Sequence, residues 1–329
     1  MVDQKILSKR INELNLKIQG SSIETFINQL YQELNTKGIT LFKPKCYLSD
    51  EWGCPHNIPV IALPFYLADP QLSRLEGEIT GIEAETPQEI MMYLRHEAGH
   101  AFNYAYQLYH QVEWSQIFGS FTLPYREEYR PRPFHPAYVR HIPGWYAQKH
   151  PDEDFAETFA VLITPQSQWQ SIYAGTPALQ KLNYVEKLIK EFSQKKPVSN
   201  KEEYDNPIEE IKYTLASWYK DNTTSSATIN LPLLIDEDLK NLFPAGSPQQ
   251  PASLYLENHK RAICKQVNYW TGLEEDRIEL IINALGERIR KLKLTVDLQR
   301  SEDLNFAITA FITTLIMNYL YSGSLIVYK

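Results

Sequence analysis

Residues 86–109, TPQEIMMYLRHEAGHAFNYAYQLY, constrain the fold of this chain more tightly than any other stretch. Thr86, then Pro87, then Glu89 is the signature of a helix start. The threonine hydroxyl can accept from the backbone at Glu89, the glutamate can reach back, and proline suits the first helical position. A helix over 86–109 follows. It carries H-E-x-x-H at positions 96–100. Residues four apart on a helix share one face, so the imidazoles of His96 and His100 can each offer a ring nitrogen to one Zn²⁺ at about 2.0–2.1 Å. Glu97 sits beside the first of them, where it can accept a proton from a water held at the metal. Ala98, Gly99 and Ala101 are small, and a mid-helix glycine costs about 1 kcal/mol relative to alanine. Small residues here let a neighbouring backbone approach, and accepting that cost points to a packing or site requirement.

A catalytic zinc needs a third protein ligand. The metzincin extension is excluded, because Asn103 and Tyr106 stand where that pattern requires Gly and His. A second helix is the better source. HPDEDFAETFAVLITP (150–165) should start near Pro151 and end near Ile163, ahead of Thr164-Pro165. Glu153 and Glu157 are four apart on it and flank an apolar face. Acidic residues in a first turn complement the helix dipole, which accounts for Glu153 without a metal. Glu157, one turn on, has no such account. The residues alone leave open which of the two completes the site.

HEAGH followed by a separate helix reading EDFAETFA resembles the gluzincin metallopeptidases. The resemblance is greatest to bacterial zinc-binding metallopeptidases whose second motif reads like HP-x-E-D-W-A-E-T, and the catalytic domain of anthrax lethal factor has a similar second helix. It covers residues 40–165 loosely and the two motif helices closely. The resemblance implies a zincin-like domain with His96, His100 and Glu153 as Zn²⁺ ligands and Glu97 as general base. It makes Glu157 the carboxylate that orients a ligand histidine, and Tyr146, seven residues before Glu153, an aid to the chemistry. The 53 positions from His100 to Glu153 far exceed the gap in thermolysin-like enzymes.

The implied reaction is hydrolysis of a peptide or amide bond by a zinc-activated water. Glu97 would move the proton, and a neutral donor (Tyr146, or else His141 or His135) would stabilise the oxyanion. Arg126, Arg130, Arg132 and Arg140 could grip a substrate carboxylate or pair with Glu127 and Glu128 among them.

The remaining chain reads as α+β and mainly α. Residues 3–36 have helical spacing with a break at Gly20-Ser21-Ser22. The runs 39–48 and 58–67 suggest a small sheet or hairpin around the turn-rich SDEWGCPHN. The polar stretch 194–208 reads as a linker between a metallopeptidase domain over 1–195 and a helical domain over 208–329, with a Pro/Gly/Ser-rich loop at 244–252. Residues 305–328 carry no charge over a length that could span a bilayer. Asn305, Thr309, Thr313 and Asn318 nevertheless form a polar stripe, and Gly323 breaks the run, so a core helix followed by a short strand is expected rather than a membrane tail. A net charge of −7, spread along the chain, indicates neither nucleic acid nor a membrane surface as partner. The first twenty residues lack a signal-peptide core, and Cys46, Cys54 and Cys264 form no CxxC pair. Free thiols in a cytoplasmic setting fit best. Cys46 and Cys54 could instead share a metal, but at no zinc-finger spacing. Besides a peptide or protein substrate, a protein partner could dock on the amphipathic 273–293. The alternative is thus a zinc-bearing interaction or regulatory protein, slow or inactive in hydrolysis, acting through its helical C-terminal domain.

Overall fold

The computed structural model describes residues 4–79, 86–125, 129, 131–223, 231, 233–243, 250–296 and 301–322. The chain divides into two units, Met1–Tyr129 with Phe134–Thr223, and Arg130–Pro133 with Thr224–Lys329. Both are mainly helical.

In the first unit, a short helix α1 (Gln4–Leu7) leads to α2 (Ser22–Thr36). The helix expected after the break at 20–22 is present in full, while the one before it shrinks to α1 and a 3₁₀ turn at Ile11–Glu13, and residues 14–21 run without regular structure. Strands β1 (Lys45–Ser49) and β2 (Val60–Pro64) follow, then α3 (Pro70–Ile79), α4 (Pro87–Tyr106), α5 (Val112–Phe118), α6 (Pro151–Ile163), α7 (Trp169–Ile172), α8 (Ala178–Phe192) and α9 (Leu215–Thr223). The sheet is not a hairpin. β1 and β2 pair in parallel, Lys45 opposite Val60 through Ser49 opposite Pro64. Parallel strands normally need a long crossover. Here the connection doubles back instead, and Gly53 bridges antiparallel to Ala62 through bonds of 2.7 and 3.4 Å. β2 therefore lies between β1 and the Gly53 segment, and all five of its residues are buried.

α4 begins as its sequence demands. Thr86 accepts from the Glu89 N–H, and Glu89 accepts from the Thr86 N–H. It ends where Gln107 turns left-handed at φ 52°. α6 spans the expected residues, capped by His150, whose Nδ1 accepts from the Asp152 N–H at 3.1 Å.

The division between units falls after Thr223, not in the 195–208 interval. The polar composition of 194–208 suggests a linker, yet its backbone is tied to the first unit. Val198 and Ser199 both donate to the Ala105 carbonyl at 2.8 and 3.0 Å, and the Ser49 hydroxyl donates to the Asp205 carbonyl. Beyond it, Ile11 donates to Tyr213, Asn12 to Ile211 and Leu215 to Lys9, each at 3.1 Å. Ile208, Ile211, Leu215, Trp218 and Tyr219 then enter the same core as Phe102, Phe155 and Phe159.

The second unit contains α10 (Ile235–Leu242), α11 (Ala252–Thr271), α12 (Glu275–Lys291) and α13 (Ser301–Ser322), with a two-residue antiparallel pairing of β3 (Gln250–Pro251) and β4 (Thr295–Val296). The apolar stripe of 273–293 is used within this unit: Ile278, Ile281, Ile282, Leu285 and Ile289 are buried in its core. Leu304–Ser322 is long and apolar enough to cross a membrane by length and composition, at a mean hydropathy of 1.4. Its residues Ile308, Ile312, Leu315, Ile316 and Leu320 pack into the unit's core, and Asn305 accepts from the Tyr255 hydroxyl. The strand expected after Gly323, and most of the 244–252 loop, lie outside the described residues.

Candidate metal centre

The site is made where α4 crosses α6. A Cβ on Gly99 would stand 2.7 Å from the Cα of Ala156 and 2.8 Å from its carbonyl oxygen, a contact no side chain survives. The two backbones therefore touch at Gly99 and Ala156, the packing requirement to which the mid-helix glycine points. Equal offsets from that contact place the chemistry. His96 and His100 lie three residues before and one after Gly99, and Glu153 and Glu157 lie three before and one after Ala156. All four are buried.

His96, His100 and Glu153 form the group that could hold a metal ion. His96 Nε2 lies 2.9 Å and His100 Nε2 3.1 Å from Glu153 Oε2, and the two Nε2 atoms are 3.1 Å apart. With each Nδ1–H given to its own carboxylate, two Nε2 lone pairs and a Glu153 oxygen converge on one point, and a cation is what such a cluster binds, so the donor set fits a metal.

The outer nitrogens fix the tautomers that such a metal requires. His96 Nδ1 lies 2.9 Å from Glu157 Oε1. Glu157 is held in turn by the backbone N–H groups of His141 and Ile142, at 3.0–3.2 Å. His100 Nδ1 lies 3.1 Å from Asp152 Oδ2, and Asp152 also accepts from Asn103 Nδ2 at 2.8 Å and from the Tyr104 hydroxyl. With Nδ1–H given to a carboxylate, each imidazole presents its Nε2 lone pair to the centre. Asp152, Asn103 and Tyr104 are functional neighbours that sequence reasoning missed. Asp152 draws no attention as one of three acids in the first turn, although its place next to Glu153 is a usable signal. Asn103 counted only against a metzincin.

In the metal-free site, burial pushes the His96 imidazole down, but Glu153 and Glu157 outweigh it and raise its pKa to about 9. The His100 imidazole is raised well above its ordinary value, Asp152 and Glu153 overcoming burial. Burial raises the Glu97 carboxyl, though both imidazoles oppose it. Among the described residues Glu97 makes no hydrogen bond, so its carboxylate is free for solvent or substrate.

Tyr146 belongs to this site. Gly144 (φ 95°) and Trp145 (φ 59°) reverse the chain just before it, and its ring packs edge-on against His96 at 5.5 Å. Burial keeps its phenol well above the ordinary range, hence neutral. A second tyrosine, unsuspected in the irregular 110–150 connection, stands beside it. The Tyr125 hydroxyl lies 3.3 Å from that of Tyr146 and donates to Glu153 Oε1 at 2.5 Å.

The other expected donors have different tasks. His141 Nε2 donates to the Met92 carbonyl at 2.9 Å, and its ring, lowered in pKa by burial, is neutral. His135 Nδ1 accepts from the Ala137 N–H across a turn. The Arg140 guanidinium covers Trp145 at 4.8 Å, and Arg132 also has a partner; Arg126, Arg130, Glu127 and Glu128 lie outside the described residues. Cys46, Cys54 and Cys264 are free thiols, and neither Cys46 nor Cys54 belongs to a metal group among the described residues. Comparison of the chain with protein-family models, with curated proteins and with solved structures found no match.

Proposed function

We propose that this chain is a zinc-dependent metallopeptidase of zincin-like architecture, acting on a peptide or protein in a reducing, cytoplasmic setting. One observation carries the reading: three donors converge while each histidine's second nitrogen has its own carboxylate, and an unpartnered glutamate stands beside them. A purely structural zinc closes its shell with four protein ligands, whereas this group has three and leaves Glu97 out of it. The gluzincin resemblance of the two motif helices and the three free cysteines point the same way.

When bound by His96, His100 and Glu153, zinc supplies Lewis acidity that polarises a carbonyl and acidifies water. The chain's own residues do the rest. Glu157 and Asp152 hold the imidazoles with Nε2 unprotonated. Glu97 removes the proton of the attacking water at its carboxylate and returns it to the leaving amine. The neutral Tyr146 phenol donates to the oxygen on which negative charge develops, a contact of a kind worth about 10²–10³ in rate.

The test is metal content and hydrolysis measured together. Unaltered protein should hold zinc and cleave members of a peptide library; Glu153→Ala should lose the metal; Glu97→Ala should keep metal and fold while hydrolysis stops. Undiminished turnover by Glu97→Ala would remove the assigned base, and absence of zinc after metal is supplied would remove the whole reading.

A further inference from the structure

We propose that Lys149 is the anion receptor of this cleft and that the enzyme acts on peptides presenting a carboxylate close to the scissile bond. The proposal rests on the metallopeptidase reading and names its substrate class. Tyr146–Gln148 forms a 3₁₀ turn, with Lys149 directly after it. Side chains three apart in such a turn eclipse one another, so Lys149 is carried over Tyr146. Its Nζ lies 5.0 Å from the ring centre of Tyr146 and 5.0 Å from that of Tyr125. Those tyrosines line the centre from Glu153 outward. The two rings hold the ammonium in place without neutralising it.

Other lysines of this unit are already engaged by carboxylates. Lys181 pairs with Asp154, Lys187 with Glu113 and Lys195 with Glu191. Among the described residues, no carboxylate lies within ion-pair distance of Lys149. Against it stand four carboxylates of the site, Glu97, Asp152, Glu153 and Glu157, which outnumber the two charges of a zinc ion. An anionic substrate is repelled from that centre unless a cation receives it, and Arg140, an earlier candidate for this task, is spread over Trp145. The structure assigns the task to Lys149. The carboxylate is either the α-carboxylate of a chain end or the side chain of Asp or Glu.

Matched zinc-directed probes test this on the zinc-loaded full chain: the monohydroxamates of succinic and glutaric acid, and the same molecules with the carboxylate amidated. Calorimetry should show an acid form binding about tenfold more tightly than its amide, as for a charge-assisted contact. Lys149→Met should bring the pair to equal affinity, and Lys149→Arg should restore the preference. Equal affinities in the unaltered chain at both lengths would overturn the proposal. So would Lys149→Met weakening acid and amide alike, which would make Lys149 a positioning residue for the tyrosines. Failure of every probe in a protein that holds no zinc would remove the metallopeptidase reading and this proposal with it, and the metal assay identifies that case. Peptides separate the two sources. Cleavage only of peptides with a free C-terminus assigns the α-carboxylate, and cleavage of amidated peptides beside an internal Glu assigns the side chain. Equal cleavage of neutral amidated peptides overturns both.

Discussion

At the scale of the residue, the centre depends on groups that would never touch a metal. Asp152 gathers His100, Asn103 and Tyr104, so its charge both orients an imidazole and satisfies two buried donors. Replacing a partner of this kind costs about 10–100-fold in metal affinity. Asp152→Asn keeps the shape, and it should weaken zinc by that amount in a chelator competition while circular dichroism stays the same. An unaltered affinity would reduce Asp152 to a helix-start residue. His96 and His100 were legible because four-residue spacing is local information. Tyr125 was not, because a loop side chain reaches its neighbours through a path that periodicity does not encode.

At the scale of the element, the crossing of α4 and α6 is the feature to perturb. Gly99→Ala gains about 1 kcal/mol of helix propensity, yet its methyl would meet backbone at Ala156 rather than a side chain that can turn away. Overpacking of this kind typically costs about 1–3 kcal/mol. Gly99→Ala should therefore lower the denaturation midpoint and weaken zinc at the same time, because the separation of the helices sets the distance from His96 to Glu153. A variant more stable than the parent would show that the crossing can widen freely. Both helices could be read to within a few residues, since capping signals and Thr164-Pro165 act on their immediate neighbours. The direction of β1 against β2 could not. An apolar strand pattern says which residues are buried and nothing about the polarity of the partner, and the reversal at Gly53 supplied the answer.

At the scale of the whole molecule, the buried cluster that could hold a metal also takes up protons. In the unloaded protein the His96 pKa rises from 6.5 to about 9. A raised value in the folded state means that protonation supports the fold fully below pH 6.5, and that this support disappears as pH rises through 9. Zinc needs the same nitrogens unprotonated. The gain in melting temperature on replacing chelator by zinc should therefore grow from pH 6.5 to pH 9, and a gain independent of pH would show that the histidines are not its ligands. The limits of the two units were the least legible property at this scale. Polar composition at 194–208 resembles a linker, and only the bonds of Val198, Ser199 and Asp205 reveal a strap lying on the first unit.

The pairing of residues 9–12 with 211–215 has a consequence for biosynthesis. A chain emerging from the ribosome exposes both motif helices well before the segment that closes their core. Contacts so distant in sequence form late, and translation adds only about 5–20 residues each second. For roughly ten seconds or more after residues 9–12 emerge, the nascent chain carries that segment with nothing to bind, and chaperones have that interval in which to act. The core that surrounds α4 and α6 is complete only once residues 208–219 have joined Ile11 in it.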